Sequence, residues 1–516
     1  MQRQEENAKE LFMTNIVATI DQVATQYPHR IAYDNLGQIN TYGELKQYSD
    51  ALADYIMARQ LPAHAPIMVY CDQSFLSIAT FLGCVKAGHA YIPVDTHSPN
   101  DRLTMINTIA QPALVLAVAD LPITLPTPTV SAVALKLILN TRAASITPQY
   151  VTGDDTFYII FTSGTTGQPK GVQISHDNLR SFTDWMAGFG LPDTPISLAQ
   201  APYSFDLSVM DLYPTLLAGG TVRVLPRETT ENLKDLFTAL PQVPVNVWVS
   251  TPSFMEICLM EPSFDAAHYP DLTHVFFCGE ELTHQTAAKL LDRFPDVHLF
   301  NTYGPTEATV AVSAIEITPA VLARYERLPI GYAKADTEIS LVPGTEHEVN
   351  GETEGELLIT GPSVARGYIN RPDKTAAVFA PHHGQQSYRT GDLGSIDADG
   401  LVFYRGRTDF QIKLNGYRIE LEEVNHYLNQ VPWIEHGVAV PQYDRNHKVR
   451  QLLAYVVVND QQFDSHISAT KASKEYLGAR MMSYMLPQRF VYRDALPMTT
   501  NGKVAIKQLI SEANAS

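Results

Sequence analysis

One stretch limits the folds open to this chain more than any other: Phe157-Tyr-Ile-Ile-Phe-Thr-Ser-Gly-Thr-Thr-Gly-Gln-Pro-Lys-Gly171. Its apolar, aromatic and β-branched start, bounded by Ser and Gly, reads as a buried strand. Backbone freedom then follows at Gly164, Gly167 and Gly171, with hydroxyls at Thr162, Ser163, Thr165 and Thr166 and one cation at Lys170. Such a loop wraps backbone N–H groups around an anion. It is not the Walker pattern, because Lys170 follows Gln168-Pro169 and no Ser or Thr comes after it. A plain surface turn after a core strand is the competing reading.

At 516 residues the chain is too long for one compact core and should split into at least two domains. Amphipathic segments at Ile16 to Tyr27 and Thr41 to Ala58 predict helices, with a short strand at Ile31-Ala-Tyr33 between them. Ile67-Met-Val-Tyr70, Ser77 to Lys86, Ala90 to Val94 and Ala113 to Ala117 alternate as strand, helix, strand, strand, which suggests an α/β sheet. Ser175 is placed to cap a helix with apolar positions Leu179, Phe182, Met186 and Phe189. A second α/β passage starts near Ser197. Short Gly-rich strands from about Leu328 to Arg407 predict a β-rich subdomain. The tail, with helices expected at Glu420 to Leu428 and Ser473 to Met485, reads as a compact α+β unit.

The formal charge of −18 argues against a nucleic-acid binder, so any nucleotide is expected to be held by local groups. Cys71, Cys84, Cys258 and Cys278 form no C-x-x-C pair and have no His at ligand spacing, which fits thiols in a reducing cytosol. The N-terminus carries no apolar signal core, and no run of about 18 apolar residues occurs. These features predict a soluble cytoplasmic protein, not embedded in a membrane.

Five further stretches stand out: Ser204-Phe-Asp-Leu-Ser208, Asn301-Thr-Tyr-Gly-Pro-Thr-Glu307, Tyr388-Arg-Thr-Gly-Asp-Leu393, Tyr404 to Glu420, and Asn501-Gly-Lys503. Together with the opening loop they resemble, in order and rough spacing over residues 15 to 510, the adenylate-forming superfamily of acyl-CoA synthetases, luciferases and peptide-synthetase adenylation domains. Within it, Cys278-Gly-Glu280, Ala201 to Asp211 and Asn301 to Val312 look most like the D-alanine–D-alanyl carrier protein ligases. The resemblance implies an α/β fold, with a core domain of two α/β subdomains plus a β-rich one at residues 1–407 and a mobile α+β domain at 408–516. It also implies a reaction in two halves. A carboxylate and ATP give an acyl-adenylate and pyrophosphate, and then a thiol takes the acyl group.

The same resemblance distributes the roles. Thr162 and Ser163 would touch ATP, as would Asn301, Thr302, Tyr303, Gly304, Pro305 and Thr306, with Tyr303 stacking on adenine. Glu307 would hold Mg²⁺ against the phosphates, since a carboxylate beside a triphosphate needs a cation between them. Asp392 would take the two ribose hydroxyls, and Tyr404, Arg405, Gly406 and Arg407 would complete the nucleotide site. Lys503 would bridge carboxylate and α-phosphate as the catalytic cation and touch both substrates. Asp206 would offset the desolvation of an amino acid's ammonium, with Cys278 and Val310 at the side-chain end. Asp409 would be a hinge whose rotation withdraws Lys503 and brings in the Lys413 to Gly416 loop.

Each role has a plainer competitor: a loop carboxylate at Glu307, an Asp–Arg structural pair at Asp392 and Arg407, a helix cap at Asp206, small packing at Cys278 and a surface lysine at Lys503. With 13 residues after Lys503, the acyl acceptor is expected in trans: a carrier protein with a phosphopantetheine arm. The implied function is D-alanine activation for teichoic acid D-alanylation. An adenylation enzyme for a small L-amino acid, and a non-catalytic nucleotide-binding protein of the same fold, remain open alternatives.

Overall fold

The structure, a computed structural model, describes residues 15–141, 147–164, 168–349, 351–444, 448–458, 463, 465–498 and 504–515. Lys503, Thr165, Thr166 and Gly167 lie outside the described residues.

Two α/β sheets dominate. The first has six strands in the order Thr129–Val130, Leu114–Ala117, Ile67–Cys71, Tyr91–Asp95, Thr156–Thr162 and Lys170–Ser175, parallel except for the last pair. The second has nine strands, and its centre, from His298–Tyr303 through His274–Phe277, Val247–Ser250, Ile196–Ala199 and Thr221–Val224 to Ile31–Asn35, is parallel. The chain therefore begins in the second sheet. Ile31–Asn35 pairs with Thr221–Val224, and Arg223 ties the two strands through an ion pair to Asp34 at 2.9 Å. The sequence predicts a short strand at Ile31-Ala-Tyr33 and leaves its sheet unassigned.

Helix Leu207–Leu217, buried along nearly its whole circumference, matches an all-round apolar sequence with no polar stripe to keep wet. Its N-terminal end delivers Asp206. A third, antiparallel sheet carries Glu338–Leu341, Glu352–Thr360, Phe379–His382, Gln385–Ile396 and Val402–Arg407, the β-rich part read from the sequence. After it come a hairpin of Gln411–Leu414 and Tyr417–Glu420, then a three-stranded sheet of Ile434–Tyr443, Val449–Val458 and Arg489–Tyr492 with its helices.

Ser175 caps helix His176–Met186 as expected, after a strand that the sequence pattern does not mark: Lys170–Ser175 returns antiparallel to Thr156–Thr162. One local expectation changes. The helix expected at 473–485 runs His466–Gly478, because Ser465 caps it and its buried face is made of small residues, Ala469 and Ser473, with Leu477. Among the described residues no helix is long and apolar enough to cross a membrane.

Candidate active site

The predicted residues gather at the carboxyl ends of the parallel strands, where ligands bind in open α/β sheets. Thr162 ends one strand, Cys278 follows Phe277, and Gly304 follows Tyr303. Two cavities open there. One is lined by Asp206, Cys278, Val310, Asp392 and Arg407. The other runs past Thr162, Arg102, Arg227 and Tyr484. They meet at Phe205, Thr306 and Arg418.

Asp206 sits at the helix N-cap position, yet its side chain makes no capping hydrogen bond among the described residues, so the cap reading does not hold. Burial pushes its carboxyl up to about 6, against the lowering effect of Thr306, Lys413 and Arg418. A carboxylate kept dry without a fixed cation is suited to receive one.

Cys278 donates its S–H toward the Val310 carbonyl at 3.6 Å, and burial pushes the thiol up. Thr309 and Val310 both adopt left-handed φ, +57° and +68°. A β-branched residue there is a strained outlier, held because Gly304 packs against it: a Cβ on Gly304 would lie 2.8 Å from the Val310 carbonyl oxygen. Strain concentrated beside a pocket is a functional signal that residue type alone did not give.

Glu307 is wholly buried. Tyr368 donates its hydroxyl to one carboxylate oxygen at 2.7 Å, and Arg418 donates to the other at 2.8 Å. Burial pushes this carboxyl up, but Arg418, Lys170 and Tyr368 together hold it down to about 2. A permanently ionised carboxylate in the interior needs a cation at its side, which fits the donor set for a hard metal ion; in this arrangement Arg418 supplies the charge.

Asp392 accepts from the Tyr303 hydroxyl at 2.5 Å and from Arg407 at 2.7 Å. The Asp–Arg pair is therefore present, with Tyr303 as a third member, and the carboxylate keeps lone pairs for further donors. Arg407 also forks onto Asp409, both bonds 2.7 Å, which links the nucleotide strand to the expected hinge residue.

Other predicted residues have structural duties. Asn301 donates to the Pro329 carbonyl and Thr302 to the Phe277 carbonyl, each fixing a strand end. Arg405 is not brought to the site: it pairs with Glu352 and Glu354 on the β-rich sheet. Alternation would put Arg405 and Arg407 on one face, but Gly406 at φ +128° and a register shift between Leu393 and Gly394 turn the strand. Tyr404 is flanked by Arg327, whose guanidinium lies 5.6 Å from the ring centre. Thr162 Oγ1 is buried without a partner among the described residues.

The hairpin at 411–420 enters this site. Gly416 donates its N–H to Glu280 at 2.7 Å, and Lys413 lies 5.8 Å from the centre of the Tyr303 ring. Ser163 donates to the Arg418 carbonyl at 2.9 Å. Glu280, Tyr368 and Arg418 carry this assembly and were not singled out from the sequence. Glu280 and Arg418 lie inside stretches the family resemblance had marked, whereas Tyr368 gives no sequence signal.

Comparison with known proteins places this geometry. Residues 20–369 match the family described as AMP-binding enzyme. The D-alanine–D-alanyl carrier protein ligase of Lactiplantibacillus plantarum is 59% identical over 97% of this chain and 99% of that protein, and that of Lacticaseibacillus rhamnosus is 54% identical over the same shares. Among solved structures, a holo nonribosomal peptide synthetase protein containing adenylation and carrier domains, bound to a vinylsulfonamide inhibitor, superposes with a TM-score of 0.80 at 26% identity, covering 96% of this chain and 84% of that one. The chain belongs to the AMP-binding enzyme family and, within it, to the D-alanine–D-alanyl carrier protein ligases.

Proposed function

We propose that the chain activates D-alanine with ATP to give D-alanyl-AMP and pyrophosphate, then transfers the D-alanyl group to the phosphopantetheine thiol of a D-alanyl carrier protein, for teichoic acid D-alanylation in the cytoplasm. The observation that carries this reading is the 59% identity, over nearly both full lengths, to a ligase of that name. The buried, uncapped Asp206 supports it, because a fatty acid or other simple carboxylic acid would leave that charge without a partner.

In this reading Asp206 binds the ammonium, and Cys278 and Val310 bound the methyl end. Thr162, Ser163 and Lys170 face the β- and γ-phosphates, Asp392 takes the ribose, and Lys503 bridges the substrate carboxylate and α-phosphate. Glu307 would hold Mg²⁺, which when bound neutralises phosphate charge as the carboxylate approaches. Residues 1–407 act as the core and 408–516 as the domain that rotates about Asp409. The seated 411–420 hairpin corresponds to the transfer half of the reaction, with the cavity past Arg102 and Tyr484 as the approach for the thiol arm.

The test is pyrophosphate exchange into ATP with D-alanine and L-alanine in parallel, followed by loading of the carrier. Exchange with D-alanine at least about tenfold above L-alanine is expected. Equal or reversed preference refutes the D-alanine assignment, and no exchange with any small amino acid refutes the catalytic one.

A further inference from the structure

At the end of the β-rich sheet remote from Asp392, side chains of metal-binding chemistry converge. Among the described residues, Glu338, His382 and His383 form a group in which a carboxylate oxygen and two imidazole nitrogens all lie within 4.8 Å of one another. His383 Nδ1 lies 3.2 Å from Glu338 Oε2. The two imidazole rings have their centroids 3.9 Å apart and are 36° from parallel.

Successive residues of a strand point to opposite faces, so His382 and His383 should diverge. They converge because the chain turns between them. His382 pairs with Gln385 across a two-residue turn, and the turn residues His383 and Gly384 both take left-handed φ, +48° and +78°. Positive φ at both positions is the tight hairpin turn that follows the twist of its strands, and it swings the His383 ring beside that of His382. The third group comes from another strand. Glu338 opens strand Glu338–Leu341, level with Thr360, which is in turn level with Ser387. The intervening strand ends at Thr360, whereas the hairpin continues past Ser387 to its tip. The Glu338 carboxylate therefore reaches over that strand's end to the two histidines.

Two imidazoles and one carboxylate suit a first-row transition ion of the zinc class and not magnesium, which takes oxygen ligands. A tetrahedral zinc ion with bonds of about 2.0–2.1 Å sets its ligand atoms about 3.3 Å apart. His383 and Glu338 already stand at close to that separation. Both are exposed, so a fourth position is open to water. We propose that Glu338, His382 and His383 form a zinc-class binding site that clips the 379–396 hairpin to the edge strand Glu338–Leu341. Asp392 lies on the strand that begins at Gln385, roughly 23 Å along it at the usual strand rise, so the ion braces the sheet and does not touch the reacting atoms. The site is separate from the one assigned above to Mg²⁺ at Glu307 and stands independently of that reading.

The experiment titrates Zn²⁺ into the full chain against a chromogenic zinc chelator, with Mg²⁺ present in about hundredfold excess. One zinc equivalent that Mg²⁺ does not displace is expected in the parent. Glu338→Gln and His383→Asn should each weaken its binding by at least about a hundredfold, because loss of even a hydrogen-bonded partner of a ligand costs about 10–100-fold in metal affinity. Asn at 383 keeps the left-handed turn. His347→Asn, which alters an exposed histidine of the same sheet outside the group, should leave the affinity within about twofold. Zn²⁺ should also raise the melting temperature of the parent and of His347→Asn, but not of the two ligand variants. Tight zinc retained in either ligand variant, zinc lost in His347→Asn, displacement by Mg²⁺, or no bound zinc in the parent overturns the proposal. Zinc bound to the parent with no rise in melting temperature overturns the clip.

Discussion

Asp206 links the site's electrostatics to a measurable pH dependence. Its carboxyl is raised to about 6, with burial as the main cause, so the charge that would attract an ammonium is present above that value and lost as pH falls through it. The apparent kcat/KM for D-alanine in pyrophosphate exchange is expected to fall about tenfold per pH unit below 6, and Asp206→Asn should raise the KM by about a hundredfold and flatten that limb. Because burial disfavours the ionised form, Asp206 contributes no stability above its unfolded value, so the Asn variant should melt no earlier than the parent at pH 7. A melting point several degrees lower would mean the side chain braces the fold. Residue identity made Asp206 and Glu307 legible in the sequence, since each sits in a motif whose chemistry needs a carboxylate. It did not reveal that Arg418 would occupy Glu307, because partners 111 positions apart are set by how two sheets meet. Arg405 was misread for a related reason: the twist introduced at Gly406 is a backbone property that side-chain alternation cannot show.

Among elements, the 411–420 hairpin carries the most specific fit. Gly416 adopts φ +83°, and a Cβ there would lie 2.3 Å from Thr251 Cγ2, on a backbone already fixed by Glu280. Gly416→Ala should therefore unseat the hairpin, slowing thioester formation on the carrier by about a hundredfold or more while pyrophosphate exchange stays within about twofold. Single-turnover transfer from preformed adenylate measures the first and isotope exchange the second; equal losses would show that the hairpin also serves adenylation. Strand Thr156–Thr162 was readable because seven consecutive strand-forming residues leave little choice, and its boundaries agree to a residue. Helix His466–Gly478 was not, since Ile467 is exposed while Ala469 and Ser473 are buried, which inverts the pattern a reader relies on. The return strand Lys170–Ser175 was hidden because half of it looks like loop composition.

On the scale of the whole molecule, the two half-reactions should separate by mutation. Lys503→Ala is expected to lower pyrophosphate exchange by at least about a thousandfold without changing the melting temperature, whereas Asp409→Pro, which removes the backbone freedom next to Arg407, should slow transfer far more than exchange. Rapid-quench assays of adenylate and thioester check both; matching losses in the two steps for Asp409→Pro would place the pivot elsewhere. The α/β class and the β-rich insert followed from alternation along the chain, but strand order did not. Nothing in Ile31–Asn35 announces that it pairs with Thr221–Val224, because parallel pairing leaves no mark in local composition. That pairing also bears on how the molecule is made. Asp34 waits for Arg223, 189 positions later, which at ordinary rates of synthesis is roughly 10–40 s. The strand pairing of the first sheet needs only residues 67–175, so it can form during synthesis while Ile31–Asn35 still lacks its parallel partner.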